Sequence, residues 1–144
     1  MQNEAKRKFL IFESHGVPYA FDLAHIAEVS EPLPSWPIPL APACCRGAVH
    51  IHGSIVATMD LAAFMGFPQC MRPEKLIVLR KEIAAMAFLV DRVIRIVDKQ
   101  DLNLIESPEE GLSDSKLILT DGDIPLLNVH KVVRIAEDIM TCSP

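Results

Sequence analysis

Four cysteines and five histidines are the side chains of this sequence with the most chemistry to offer. Cys44 and Cys45 are adjacent, His50 and His52 follow closely, and Asp60 lies just downstream. A thiol beside an imidazole, with a carboxylate to orient the base, is the arrangement of a cysteine-dependent hydrolase. Here Cys44 or Cys45 would be the nucleophile, one of His15, His25, His50 or His52 the base, and Asp60 the orienting group. No neighbouring feature marks a lowered thiol pKa, and a chain with this many cysteines and histidines offers such triples by chance. The same residues invite a metal reading, because two histidines two apart on a strand share a face. The spacing Cys-Cys-x4-His-x-His lacks the paired C-x2–4-C of tetrahedral zinc sites. Polar residues on the outer face of a strand are the simpler account. Glu109-Glu110 falls in a Pro/Gly/Ser-rich stretch where solvation is reason enough, and the six methionines read as core filling. No catalytic residue, metal site or cofactor is therefore expected. Cys44, Cys45, Cys70 and Cys142 read as free thiols in a reducing compartment.

The stretch that carries most of these residues, Arg46–Gly66, reads as strand, tight turn, strand and a short helical run. Ala48–His52 alternates apolar and polar, Gly53-Ser54 supplies the turn, and Ile55–Met59 resumes as a β-branched strand. Asp60 ends it and caps a turn over Leu61–Met65. Upstream, Phe9–Phe12 and Tyr19–Leu23 form a hairpin about Ser14-His15-Gly16, and residues 1–7 read as frayed. Leu23–Val29 suits one helical turn followed by a strand. Five prolines between Glu31 and Pro42 exclude helix and central strand, leaving an extended surface crossing anchored by Trp36. Beyond Gly66–Pro73, strands are expected at Lys75–Arg80, Ala84–Val90 and Val93–Val97. Asp98–Asp101 and Glu106–Ser115 read as polar loops. Lys116–Thr120 and Ile124–Val129 flank Asp121-Gly122-Asp123, a type I′ hairpin signal, with Pro125 implying an edge or a bulge. A helix is expected over 130–140, followed by a loose tail, Thr141–Pro144.

The chain also repeats itself. Lys8–Ile11 matches Lys75–Val78 at an offset of 67 residues, and Ala20-Phe21, Ile26 and Val29 match Ala87-Phe88, Val93 and Ile96. Gly53, Asp60 and Leu61 match Gly122, Asn128 and Val129 at offsets of 68–69. Two copies of one all-β unit, each closing into a small barrel, follow from this spacing. The 144 residues suit a single compact unit, and the net charge of −5, with its one basic run at Lys6-Arg7-Lys8, argues against nucleic acid as a partner. No apolar run approaches the roughly eighteen residues of a membrane span, and the start lacks a signal-peptide pattern. A cytoplasmic protein with no direct membrane insertion is expected.

Arg46-Gly47-Ala48-Val49, Gly53-Ser54-Ile55-Val56 and Asp60-Leu61 together resemble the CheW family pattern, a Gly-Val-x-Asn-Leu-Arg-Gly hairpin before Ile-Val-Pro-Val-x-Asp-Leu. Phe9–Val29 resembles that family's opening strands, and the likeness covers nearly the whole chain. His50-Ile51-His52-Gly53 replaces Asn-Leu-Arg-Gly, so a histidine stands at the usual arginine, and Ala57 replaces the usual proline. The second copy has Ser113-Asp114-Ser115 where Tyr-Ile-x-Gly is usual. The resemblance implies two five-stranded SH3-like β-barrels packed side by side, here about 8–70 and 71–133, with a C-terminal helix at 130–140. It implies a non-enzymatic adaptor bridging the regulatory domain of a CheA-type histidine kinase to a chemoreceptor tip. The receptor-facing wall would include Ile26, Glu28, Val29 and His52, while the divergent second copy leaves the kinase contacts unassigned. An SH3-like module with a single peptide partner is the alternative.

Overall fold

Phe9–Phe12, Leu76–Leu79 and Met86–Val90 are apolar without alternation, which suits strands buried on both faces. The structure, a computed structural model that describes residues 6–141 (backbone alone at 107–110), shows what buries them. Eleven strands are formed: β1 (Lys8–Ser14), β2 (Val17–Asp22), β3 (Ile26–Ser30), β4 (Cys45–Ile51), β5 (Ser54–Asp60), β6 (Lys75–Leu79), β7 (Met86–Val90), β8 (Arg92–Asp98), β9 (Asn103–Glu110), β10 (Ser113–Leu119) and β11 (Gly122–Leu127). Two helices follow hairpins, α1 (Leu61–Phe64) after β5 and α2 (Val129–Thr141) after β11. Expectations for residues 1–5, for 142–144 with Cys142, and for the Glu109-Glu110 side chains lie outside the described residues.

The strands make a six-stranded sheet, β8-β1-β2-β11-β10-β9, and a five-stranded sheet, β3-β6-β7-β5-β4. The first exceeds the expected five by β9, which occupies sequence read mostly as polar loop. In each sheet one face packs on itself. Phe9, Ile11, Ala20, Leu117, Ile124 and Leu126 form the interior of the six-stranded sheet, and Val49, Val56, Leu76, Val78, Ala87 and Leu89 that of the five-stranded one. A face that gathers its own strands into one cluster must be curled, which is the SH3-like form, although neither sheet's order closes on itself. The opposite faces meet: Leu10, Phe12 and Phe21 from one sheet pack with Met59, Ile77 and Phe88 from the other, and α2 adds Val129, Val132, Val133 and Ala136. The unalternating strands lie between a private core and this shared one.

Corresponding elements occupy corresponding places, but with an exchange. The hairpin β1–β2 opens the first half of the chain and sits at the centre of the sheet built by the second half, while β6–β7 does the reverse. The repeat boundary near residue 70 is thus not the boundary between sheets. Each half also carries the same bulge, at residue 46 between β4 and β5 and at residue 114 between β10 and β11. Arg46 Nη1 donates to Asp60 Oδ2 (3.2 Å) in the first, and Asn128 Nδ2 donates to Asp114 Oδ2 (2.9 Å) in the second. The bond keeps its place in the fold while donor and acceptor change strands. Asp60 and Asn128 then cap α1 and α2, accepting from Ala63 N and Lys131 N.

Several local expectations shift. The β4–β5 turn is His52-Gly53 (φ 48° and 81°), because Ile51 pairs with Ser54, not Gly53-Ser54. The β10–β11 turn is Thr120-Asp121, with the positive φ falling on Gly122 alone (141°), so it is not type I′. Pro125 is not on an edge: β11 is internal, but its parallel seam with β2 holds a single residue pair, against four between β5 and β7. Trp36 anchors the proline crossing through its backbone, exchanging two 2.8 Å bonds with Ala48, while its indole stays 59% exposed. Arg7 is held, not frayed, by Asp22 at 2.7 Å.

Candidate functional site

The thiols and imidazoles do not assemble. Cys44 is buried and its pKa is pushed up by that burial. Cys70 Sγ lies 2.9 Å from Asp91 Oδ1, and burial followed by this hydrogen bond raises its pKa to about 11, away from nucleophilic use. His15 stacks on Phe67 and bonds Tyr19, His25 packs against His130, and His50 stands edge-on to Trp36. His50 and His52 do not share a strand face, because His52 is in the turn. No group of three or more potential metal ligands occurs among the described residues. Asp60 is fully buried but occupied as a structural acceptor for Arg46, Ala63 N and Cys70 N.

Glu28 and His52 do meet. Their separation in sequence is closed to 2.7 Å between Nε2 and Oε1, with the histidine 81% exposed. Glu28 is on β3 and His52 at the tip of β4–β5, which lie at opposite ends of the five-stranded order. The pair therefore bridges the two ends of a curled sheet whose ladder does not close. The six-stranded sheet has an ion pair at the matching positions, Arg95 on the end strand β8 reaching Asp121 in the β10–β11 turn at 3.5 Å, although the other end of that sheet is β9. Its charges run the opposite way. A cleft of about 350 Å³ opens beside Glu28 and His52, floored by Ile51, Val56 and Val78 and rimmed by Arg80 and Lys81.

The other expected wall residues are placed less uniformly. Val29 is on the outer face of β3, 37% exposed, whereas Ile26 is only 5% exposed and belongs to the shared core. Neither lines the Glu28–His52 cleft. A separate groove of about 610 Å³ lies where the two sheets and α2 meet, lined by Tyr19, Phe64, Met65, Phe67, Leu112 and Ile135 among others. It shares no residue with the Glu28–His52 cleft. Sequence reading passed over its Phe67, whose place is fixed by stacking on His15 at 3.7 Å, a contact between turns far apart in the chain.

The profile of the CheW-like domain matches residues 8–137. The chain belongs to the CheW family. It is 30% identical over 131 residues to a chemotaxis protein CheW from Thermotoga maritima, covering 87% of this chain and 86% of that one. The crystal structure of the scaffolding protein TtCheW from Thermoanaerobacter tengcongensis has the same fold, with a TM-score of 0.75 at 18% identity over 88% of this chain and 92% of the other. The residues that carry this family's motif here, Arg46, Gly47 and Asp60, are structural. Arg46 and Asp60 pin the β4–β5 bulge, and an added Cβ on Gly47 would stand 2.4 Å from the Trp36 carbonyl oxygen.

Proposed function

We propose that this chain is a non-enzymatic adaptor that couples chemoreceptors to a CheA-type histidine kinase in a chemotaxis-type signalling array. Family membership across residues 8–137 is the observation that carries the reading. The geometry agrees with it: two curled sheets with separate outer surfaces are joined by one shared core, so each can hold a partner while the other is occupied. Holding both partners on one small body raises their effective concentration for each other, and nothing further is needed to act as a coupler. Work of this kind takes place in the cytoplasm, and no helix among the described residues is long and apolar enough to cross a membrane.

The receptor is proposed to contact the first sheet at Glu28, His52 and Val29, with Ile26 supporting the wall from within. The His52–Glu28 pair becomes an ion pair only when the imidazole is protonated. The usual arginine would keep the pair charged throughout. The test is a titration of the protein with a receptor cytoplasmic fragment and with the kinase's regulatory domain, separately and together, for wild type and His52→Arg across about pH 6–8. A ternary complex is expected, with the arginine variant binding the receptor fragment more tightly than wild type. Binding of one partner alone would favour the single-partner module. Identical affinities for the two proteins at every pH would remove His52 from the contact.

A further inference from the structure

The groove where both sheets meet α2 has a wall that is fixed in advance. Its volume of about 610 Å³ is in the range of small-molecule sites. Three rings border it, Tyr19 from β2, Phe64 from the end of α1 and Phe67 from the turn beyond. Met65, Leu112 and Ile135 extend the apolar lining, and each of these six side chains keeps part of its surface open. Two of the rings are held through one imidazole: His15 Nε2 is hydrogen-bonded to the Tyr19 hydroxyl at 2.8 Å, and its ring stacks on Phe67 with centroids 3.7 Å apart. Phe67 is 45% exposed and belongs to no core cluster; its backbone N–H donates to the Ala62 carbonyl at 2.9 Å. A ring held open in this way can stack on another without first being ordered. The groove also carries a single charge. Leu117 enters the private core of the six-stranded sheet, so its neighbour Lys116 stands on the other, groove-facing side with its register partner Pro125. Lys116 is exposed and has no carboxylate partner among the described residues, and no aspartate or glutamate lines the groove. At the matching place in the first copy Ala48 pairs with Ala57, so nothing in the repeated architecture calls for a cation there.

We infer that this groove binds a small aromatic carboxylate, with its ring system against Tyr19, Phe64 and Phe67 and its carboxylate on the Lys116 ammonium. The rings favour a flat π-body over an aliphatic chain, because offset and edge-to-face contacts add to the burial that either ligand would gain. The ammonium selects a carboxylate over a neutral group, since a charge-assisted hydrogen bond is about twice as strong as a neutral one. A cationic ligand would meet like charge with nothing to offset it. The inference stands apart from the adaptor reading, because the groove shares no residue with the Glu28–His52 cleft. A ligand here touches β2, β10, the end of α1 and α2, and so bears on the shared core and not on either outer surface.

The test is a titration of the whole chain with naphthalene-2-carboxylate, followed by amide shifts, beside naphthalene-2-methanol, naphthalene-2-methylammonium and octanoate. The naphthoate is expected to shift Tyr19, Met65, Phe67, Leu112, Lys116 and Ile135 and to bind about tenfold more tightly than the alcohol. Octanoate and the ammonium compound should both bind less tightly than the naphthoate. Lys116→Gln should bring the naphthoate down to the alcohol's affinity and leave the alcohol unchanged, whereas Phe67→Ala should weaken both by a similar factor. Both substituted side chains are exposed, and neither belongs to a core cluster. Equal affinity for the naphthoate and the alcohol, an equal loss of both on Lys116→Gln, indifference to Phe67→Ala, tighter binding of octanoate, shifts confined to other surfaces, or no binding at millimolar ligand would overturn the inference.

Discussion

Protonating His25 would put a charge at the point where the chain leaves β2 for β3 and crosses from one sheet to the other. Burial, the largest cause, holds its pKa below the ordinary 6.5; His130, Arg7 and Arg80 push the same way and Asp22 opposes them. Its Nδ1 is buried with no hydrogen-bond partner among the described residues. The unfolded chain thus takes up a proton that the folded chain resists as pH falls through about 6.5. The stability tied to this group is complete above that pH and is lost progressively below it. Thermal midpoints measured between about pH 7.5 and 5.5 are expected to fall less steeply for His25→Gln than for wild type. Parallel slopes would show that the crossing tolerates the charge. His25 was legible as one of several candidate bases, but not as a half-buried group at a crossing, since that depends on α2 returning His130 to within 5.1 Å of its ring. The pairing of Glu28 with His52 was legible because the family pattern names both positions. The composition of the turn at His52 was not: Gly53 can be either residue of a two-residue loop, and the choice is made by Val49 pairing with Val56 in the interior.

Among the elements, the β4–β5 hairpin and the proline crossing depend on one close approach. Gly47 has φ 128° and lies against Trp36, so an alanine Cβ would meet backbone at 2.4 and 3.0 Å, atoms that no side-chain rotation can clear. Gly47→Ala is expected to break the Trp36–Ala48 bridge and cost about 2–3 kcal/mol in chemical denaturation. A loss under about 1 kcal/mol would mean that the crossing slides aside at little cost. The bulge next to it shows how a duplicated element drifts while its geometry stays. Arg46–Asp60 in one copy and Asp114–Asn128 in the other satisfy the same position with unlike chemistry, as Glu28–His52 and Arg95–Asp121 do at the barrel ends. Residue identity in the second copy was therefore a poor guide to its structure. β9 was missed for a related reason: Glu106, Ser107, Pro108 and the two glutamates lack apolar alternation, and an edge strand needs only one neighbour, here β10.

The exchange of hairpins sets how the whole molecule holds together. Periodicity and the internal repeat revealed two like units, and both private cores were implied by them. Which sheet each strand joins was not readable, because a repeat specifies shapes and leaves open whether a hairpin pairs within its own copy or with the other. Residues 8–70 supply β3, β4 and β5 without the two strands that lie between β3 and β5, and they supply β1 and β2 without the sheet that surrounds those two. The second half is incomplete in the same way. Separate fragments ending at Cys70 and beginning at Met71 should each be unfolded by far-ultraviolet circular dichroism and amide dispersion, and should form a folded one-to-one complex when mixed. In the intact chain, core amides of β2 and β7 should open with the same free energy in hydrogen exchange, since neither sheet survives the loss of the other half. A half that folds alone, or two sheets that open at different free energies, would show that the shared core contributes less than each sheet's own. The adaptor reading depends on this point: a body that unfolds as one unit keeps its two outer surfaces at a fixed relative orientation, whereas two independently stable barrels could swivel and hold their partners without aligning them.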